Sequence, residues 1–353
     1  MKILSVETSC DETAIAFVEC SGGAESPLFS VRAQVVATQI PVHRPFGGVV
    51  PSLAKREHLK NLPIVFDQVV SFMHHASCIM NPDRIAVTVG PGLEPALWTG
   101  INFAKELSEK LGVPLIGINH LEGHIYSNWI SLSEVEGLKK IVFPAIVLLV
   151  SGGHTVLLIM ENMQKWRTLG ETQDDAVGEA FDKVAKMLGL PYPGGPEVER
   201  IARDGNADAI VFPRPMIHSG DFNFSFSGLK TAVLYHIRNS KNLLNRESCI
   251  LNPSDVCASF QKAAIDVLVT KTMRAAEDRS ATLANGAQSV LLCGGVASNR
   301  ALTNELKERA TKAGMQFSAP PMEYNTDNAV MIAAAAYLGH AYPTDKALSN
   351  LNL

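Results

Sequence analysis

Lys2–Glu19 reads KILSVETSCDETAIAFVE: an apolar run, a short polar turn and a second apolar run. Pro144–Met160, PAIVLLVSGGHTVLLIM, has the same plan. Each predicts a β-hairpin, because short continuous apolar runs broken by Ser, Asp, Thr or Gly are the pattern of buried strands and their turns. Each is followed by a later strand that ends in glycine and runs into a helix. These are RIAVTVGPGLEPALWTGINFAKELSEKLG (Arg84–Gly112) and SVLLCGGVASNRALTNELKERATKAG (Ser289–Gly314). In both, the apolar spacing changes from continuous to three-and-four, the period of a helix face. The chain therefore reads as an α/β fold in which one unit is used twice. The polar stretch Ser131–Lys140 is the expected boundary. It gives lobes over 1–138 and 139–326, with a helix at about 327–345 packing back on the first.

Other segments have helical spacing. Leu53–Ala76 is amphipathic, with Pro63 near its first turns. Asp174–Leu190 opens on acids that suit a helix N-terminus. Ser254–Asp278 has Ser254 as its expected cap, and Thr326–Tyr342 starts at Thr326 or Asp327. Gly205–Lys230 is loop-rich and aromatic, with room for a hairpin.

The 353 residues suffice for two domains of ordinary size. With 46% hydrophobic and 19% charged residues, the chain fits a folded globular class rather than a disordered one. No apolar run is long enough to span a bilayer, and MKILSVE enters a strand without secretory or transit-peptide character. A cytoplasmic protein without a membrane partner is expected. Six scattered cysteines with no CxxC pair argue against a zinc ribbon or a disulfide framework. The formal net charge of −4 opposes a stand-alone nucleic-acid binder, which would need a local basic patch or a basic partner.

Gly117–Trp129, GINHLEGHIYSNW, holds His120 and His124 four residues apart, so a helix would put both rings on one face. They read as metal ligands or as packed core histidines. A zinc protease needs its glutamate directly after the first histidine. Here Glu122 comes one place later and would point elsewhere. Two imidazoles and one carboxylate make a three-ligand site with open positions, as non-haem iron and catalytic zinc use. Asp327 is a candidate for the carboxylate, and equally a helix cap.

Glycine turns at Ser151–His154, Pro193–Gly195 and Cys293–Asn299 permit close backbone approach. None is a P-loop or a dinucleotide fingerprint. Three such turns on a duplicated frame suggest a nucleotide held between two lobes. Asp182 and Glu199 flank the middle turn, as ribose acceptors or as solvated helix acids. Asp11 and Glu12 lie in the first hairpin turn, where acids manage a cation or position a nucleophile, or simply form a turn.

Eight motifs in order resemble a known family: ETSCDET, HLEGH, VSGGHT, GEAFDKVAKMLGLPYPGGPEVE, FSFSGLKTAV, ASFQ, GGVASNRALTNEL and NTDNAVMIAA. Together they resemble the tRNA N6-adenosine threonylcarbamoyltransferases over nearly the whole chain. FGGVVPSLAKREH looks like the bacterial and organellar branch. The resemblance implies two duplicated lobes of the actin, sugar-kinase and Hsp70 (ASKHA) fold with a central cleft. It implies transfer of threonylcarbamoyl from threonylcarbamoyl-AMP to N6 of the adenosine 3′ of the anticodon, in tRNAs reading ANN codons, with release of AMP. It implies one divalent metal, iron(II) or zinc, on His120, His124 and Asp327. Substrate contacts carry over to Val150, Ser151, Gly152, Gly153, His154, Asp182, Gly195, Glu199 and Asn299. Asp11 and Glu12 are the expected catalytic acids. A TsaB-like paralogue and a TsaE-like ATPase are the implied partners. Ser52, Lys55, Glu94, Pro95 and Trp98 depart from the family's usual residues, away from these ligands. An ASKHA-type kinase or ATPase, which would move phosphate without tRNA, and a chelator-sensitive metalloprotease remain the rival classes.

Overall fold

The computed structural model describes residues 1–75, 80–131, 141–242, 252–282 and 286–353. The chain divides into two compact units. One is Met1–Ile141 with Glu161–Trp166 and Ala319–Leu353; the other is Val142–Met160 with Arg167–Ser318. Of the expected boundary stretch, residues 132–140 lie outside the described residues.

In the first unit β1 (Lys2–Glu7) and β2 (Glu12–Ser21) form the first hairpin, with Lys2 opposite Glu19 and Glu7 opposite Ala14. β3 (Leu28–Thr38) adds antiparallel to β2. A short α1 (Ile40–His43) and a long α2 (Pro51–His75) precede β4 (Arg84–Gly90), α3 (Glu94–Leu111), β5 (Leu115–Asn119) and α4 (His120–Tyr126). β4 is parallel to β1 and β5 parallel to β4, giving the order β3-β2-β1-β4-β5. Ile3, Leu4, Val6, Ile15 and Phe17 are all fully buried. The strands carry continuous apolar runs because both faces of the sheet are covered. On one face Leu62, Val65 and Val69 of α2 and Leu97, Ile101 and Ala104 of α3 join Leu4, Val6 and Phe17 in one core.

The second unit repeats the plan. It runs β6 (Ala145–Val150), β7 (Thr155–Asn162), β8 (Lys165–Glu171), α5 (Val177–Met187), α6 (Gly194–Ala202), α7 (Ser227–Asn242), α8 (Pro253–Glu277), α9 (Arg279–Thr282), β9 (Ser289–Cys293), α10 (Arg300–Lys312) and β10 (Gln316–Ser318). Its sheet order is β10-β9-β6-β7-β8, with β6/β7 antiparallel and β6/β9 and β9/β10 parallel. Counted within each unit, the spatial order is third, second, first, fourth, fifth in both sheets. The chain then returns to the first unit with α11 (Ala329–Leu338), almost wholly buried, which contacts β1, β2, β4, β5 and α4. None of the described helices is long and apolar enough to cross a membrane.

Three local expectations are corrected. α8 is capped by Asn252, whose side chain accepts from Ser254 N–H, with Pro253 in the first helical position. Ser254 is therefore inside the helix. α11 is capped by Asn328, which accepts from Met331 N–H, and Thr326 and Asp327 lie before it. No hairpin forms over Gly205–Lys230. Pro213 and Pro215 cannot donate to a ladder, and only an isolated bridge joins Phe224 to Thr172. That loop is held by polar anchors instead. The buried Lys271 ammonium donates to Ser219 Oγ (2.8 Å) and to the Asp221 carbonyl (3.3 Å), and Arg214 pairs with Asp266 (2.8 Å).

Candidate active site

α4 starts directly after β5. Asn119 caps it by accepting from Leu121 N–H at 2.8 Å, which makes His120 the first helical residue. His124 follows one turn later, and the two rings sit edge to face with centroids 4.7 Å apart. Gly123 lies between them. A Cβ there would sit 3.1 Å from Met331 and Ile332 side-chain atoms of α11, so glycine allows the close approach of that helix. The start of α11 is also tied to β1, where buried Ser5 Oγ donates to the Ala329 carbonyl at 2.6 Å. These two contacts fix Asp327, just upstream of the α11 cap, beside the histidine pair. Asp327 Oδ1 lies 3.4 Å from His120 Nε2 and 3.2 Å from His124 Nε2. One ligand atom from each of the three residues falls within 4.8 Å of the others, a possible metal site.

The electrostatics suit a cation. Both ring nitrogens of His124 are buried without a hydrogen-bond partner, with Nε2 at ion-pair distance, 3.2 Å, from Asp327 Oδ1. An orphaned buried imidazole is costly unless something else binds it. Burial pushes the His124 ring towards its neutral form, as a ligand must be, against the pull of Asp327. Burial also disfavours charge on His120, but the carboxylates of Asp327 and Glu7 outweigh it and raise its proton affinity well above the ordinary range. Burial pushes the Asp327 carboxyl up, yet the two rings, His120 foremost, hold it well below the usual carboxylate range.

Asp11 and Glu12 occupy the β1–β2 turn of the same unit. Asp11 is nearly buried, and its carbonyl accepts from Gln39 N–H at 2.8 Å. Burial, then the charges of Asp11 and Asp327, raise the Glu12 carboxyl well above its usual range, and the two acids share a hydrogen bond.

The expected substrate residues lie in the second unit and are tied to one another. Val150 ends β6, fully buried. Ser151 N–H donates to the His154 carbonyl (2.8 Å) and His154 N–H to Ser151 Oγ (3.1 Å), closing a tight turn. At Gly152 and Gly153 a Cβ would meet nothing within 4 Å, so their backbone is open. Gly178 at the start of α5 packs on this turn; a Cβ there would be 2.6 Å from the Ser151 carbonyl oxygen. Asp182 on α5 accepts from Gly194 N–H at 2.6 Å and so holds the start of α6, next to the open Gly195. Glu199 on α6 accepts from Arg300 N–H at 3.1 Å. Asn299 caps α10 by accepting from Leu302 N–H (3.0 Å) and donates to Gln261 Oε1 (2.8 Å).

The family model for tRNA N6-adenosine threonylcarbamoyltransferase matches residues 30–334. This chain belongs to that family. A tRNA N6-adenosine threonylcarbamoyltransferase of Thermosipho melanesiensis is 48% identical over 357 residues, covering 100% of both chains. One of Bacillus subtilis is 46% identical over 336 residues, covering 95% of this chain and 89% of its own. HypF from T. kodakarensis has a similar fold, with a TM-score of 0.56 at 14% identity, over 96% of this chain and 47% of that one. The fold is the duplicated ASKHA type, and the protein is a tRNA-modifying enzyme of the acyltransferase class.

Two further residues of this threonylcarbamoyltransferase stand out. Glu7 was not foreseen. It is fully buried at the end of β1, with Oε2 3.0 Å from His120 Nδ1 and accepting from Thr88 Oγ1 at 2.6 Å. Its Oε1 accepts from Ser9 N–H at 2.5 Å, and Ser9 Oγ lies 3.2 Å from the same His120 nitrogen. Burial pushes the Glu7 carboxyl up, but His120 outweighs it and keeps it ionised. An anion on Nδ1 leaves Nε2 as the donor atom turned to the metal position. The sequence signal was a lone acid ending an apolar strand. Glu7→Gln is expected to weaken metal affinity roughly 10–100-fold with the fold intact, read by chelator competition. Unchanged affinity would leave Glu7 without this orienting role. Glu122 points away from the ligands, as its position in HLEGH suggests. Its carboxylate accepts from Tyr342 Oη and from His340 N–H at 3.1 Å.

Proposed function

We propose that this chain transfers the threonylcarbamoyl group from threonylcarbamoyl-AMP to N6 of the adenosine 3′ of the anticodon in tRNAs reading ANN codons, and releases AMP. The observation that carries the reading is the meeting of His120, His124 and Asp327, with orphaned nitrogens on His124, in a chain of this family. These three residues would hold one divalent ion, iron(II) or zinc, both of which accept two imidazoles and a carboxylate. Such an ion supplies a Lewis acid for an acyl oxygen.

The rest is done by the chain's own groups. The N6 nitrogen forms a bond to the carbamoyl carbon, the bond from that carbon to the phosphate oxygen breaks, and AMP leaves as its anion. The N6 proton passes to a carboxylate of the Asp11–Glu12 pair. Glu12 suits this role because burial and the charges of Asp11 and Asp327 raise its proton affinity above that of an ordinary acid. The open backbone of Gly152, Gly153 and Gly195 suits the adenylate, since glycine lets a phosphate approach main-chain N–H groups. Val150, Ser151 and His154 shape that turn. Asp182, Glu199 and Asn299 hold the α6 and α10 starts beside it. The target adenine must leave its stack to be reached. A TsaB-like paralogue and a TsaE-like ATPase are the proposed protein partners, and the cytoplasm is the proposed location.

The test is to incubate the protein and these partners with threonylcarbamoyl-AMP and unmodified tRNA, then to analyse the nucleosides by mass. Threonylcarbamoyladenosine is expected at one position. Its absence, with phosphate transfer from ATP to a small molecule instead, would favour the kinase class.

A further inference from the structure

The segment between β3 and the body of α2 ends in a solvent-facing tip, and its base is built rigidly. His43 is fully buried, with Nδ1 accepting from Val50 N–H at 3.3 Å and Nε2 3.1 Å from Gln39 Oε1, which closes the loop on itself. The base is bonded to the acid turn of the candidate site. Gln39 N–H donates to the Asp11 carbonyl at 2.8 Å, and Thr38 Oγ1 to Glu12 Oε1 at 3.5 Å. α2 is pinned to the same turn by His58. Its Nε2 lies 3.0 Å from the Cys10 carbonyl, and its Nδ1 2.8 Å from Thr13 Oγ1.

The tip carries different chemistry. Phe46 is 58% exposed on a well-held turn. Arg44 is exposed on the same turn, and Lys55 and Arg56 are exposed on the first turns of α2. Residues 39–60 hold four cations (Arg44, Lys55, Arg56, Lys60) against one acid (Glu57), in a chain whose net charge is −4. A lone exposed phenyl ring needs no explanation. An exposed ring on the same turn as Arg44, in a cation-rich segment whose base is bonded to the acid turn of an RNA-modifying enzyme, has one. Stacking on an aromatic face and neutralising phosphates are how proteins grip unpaired nucleotides. The local excess of cations also supplies what the acidic whole lacks.

The geometry points to Arg44–Arg56 as the docking surface for the single-stranded loop of the tRNA, with Phe46 stacking on an unpaired base and Arg44, Lys55 and Arg56 meeting phosphates. This rests on the proposed tRNA substrate and adds the surface that receives it.

The test measures binding of unmodified tRNA to the full chain with its TsaB-like partner, across a salt series. The variants are Phe46→Ala, Phe46→Tyr and the double change Lys55→Glu with Arg56→Glu. Phe46→Ala is expected to weaken binding roughly five- to hundredfold, and Phe46→Tyr to restore it, since stacking needs only a ring. The double variant is expected to bind more weakly and to lower the slope of log K against log salt by about one to two. Metal content and binding of threonylcarbamoyl-AMP should not change. Wild-type affinity and slope in all variants overturn the proposal. So does wild-type tRNA affinity combined with lost binding of the protein partner, which makes the segment a protein interface. Either result leaves tRNA modification by the wild type standing. The function itself fails only if the wild type yields no modified nucleoside.

Discussion

His120→Ala is expected to lower threonylcarbamoyl transfer by at least about a thousandfold, roughly 4 kcal/mol of barrier, and to strip the bound metal from the same protein. Three groups meet at the site, and removing one leaves an imidazole and a carboxylate, too few donors for a stable three-ligand centre. The loss also strands Glu7, whose Oε2 lies 3.0 Å from His120 Nδ1. Thr88 and Ser9 still hydrogen-bond that carboxylate, so the strand end should stay folded. Metal analysis by mass spectrometry and the nucleoside assay should therefore fall together in a protein that is still folded by circular dichroism. Wild-type turnover with metal still bound would remove His120 from the ligand set.

Glu122→Ala should behave in the opposite way, losing stability and keeping metal. Glu122 is fully buried, and it holds the segment after α11 through Tyr342 Oη and His340 N–H. That segment bridges back to β5, where Gly117 and Tyr342 exchange backbone hydrogen bonds of 3.0 and 2.8 Å. Truncating the acceptor leaves partly buried donors unpaired and opens a cavity, together worth about 2–4 kcal/mol. A lower denaturation midpoint with full metal content is the expected result. Glu122→Gln, which keeps an acceptor oxygen, should recover part of the loss. Were Glu122 instead the base of a protease, Glu122→Gln would abolish peptide cleavage and leave stability alone.

The duplicated plan was legible because each hairpin lies in a sheet covered on both faces, so its apolar runs are unbroken. Local caps were less legible. In Thr326-Asp327-Asn328 all three residue types cap helices well, and only the packing of Gly123 against α11 separates the cap, Asn328, from the candidate ligand, Asp327. The misplacement of Glu122 within HLEGH was visible, because helix geometry alone turns it from the face of the histidines. Glu7 was hidden for a different reason. Its partners are Thr88 on β4 and His120 on α4, and no spacing rule links β1 to residues brought beside it only when the sheet forms. The loop over Gly205–Lys230 misled for a like reason. Besides its own prolines and turns, it is held by buried Lys271 on α8, some distance along the chain, which no local pattern announces.

Anomalous diffraction from crystals of the purified protein, collected on both sides of the iron and zinc absorption edges, addresses the metal assignment most directly. A single element-specific peak is expected within about 2.0–2.2 Å of His120 Nε2, His124 Nε2 and an Asp327 carboxylate oxygen. A peak at another group of side chains, or one bound by the two rings with Asp327 turned away, would contradict it.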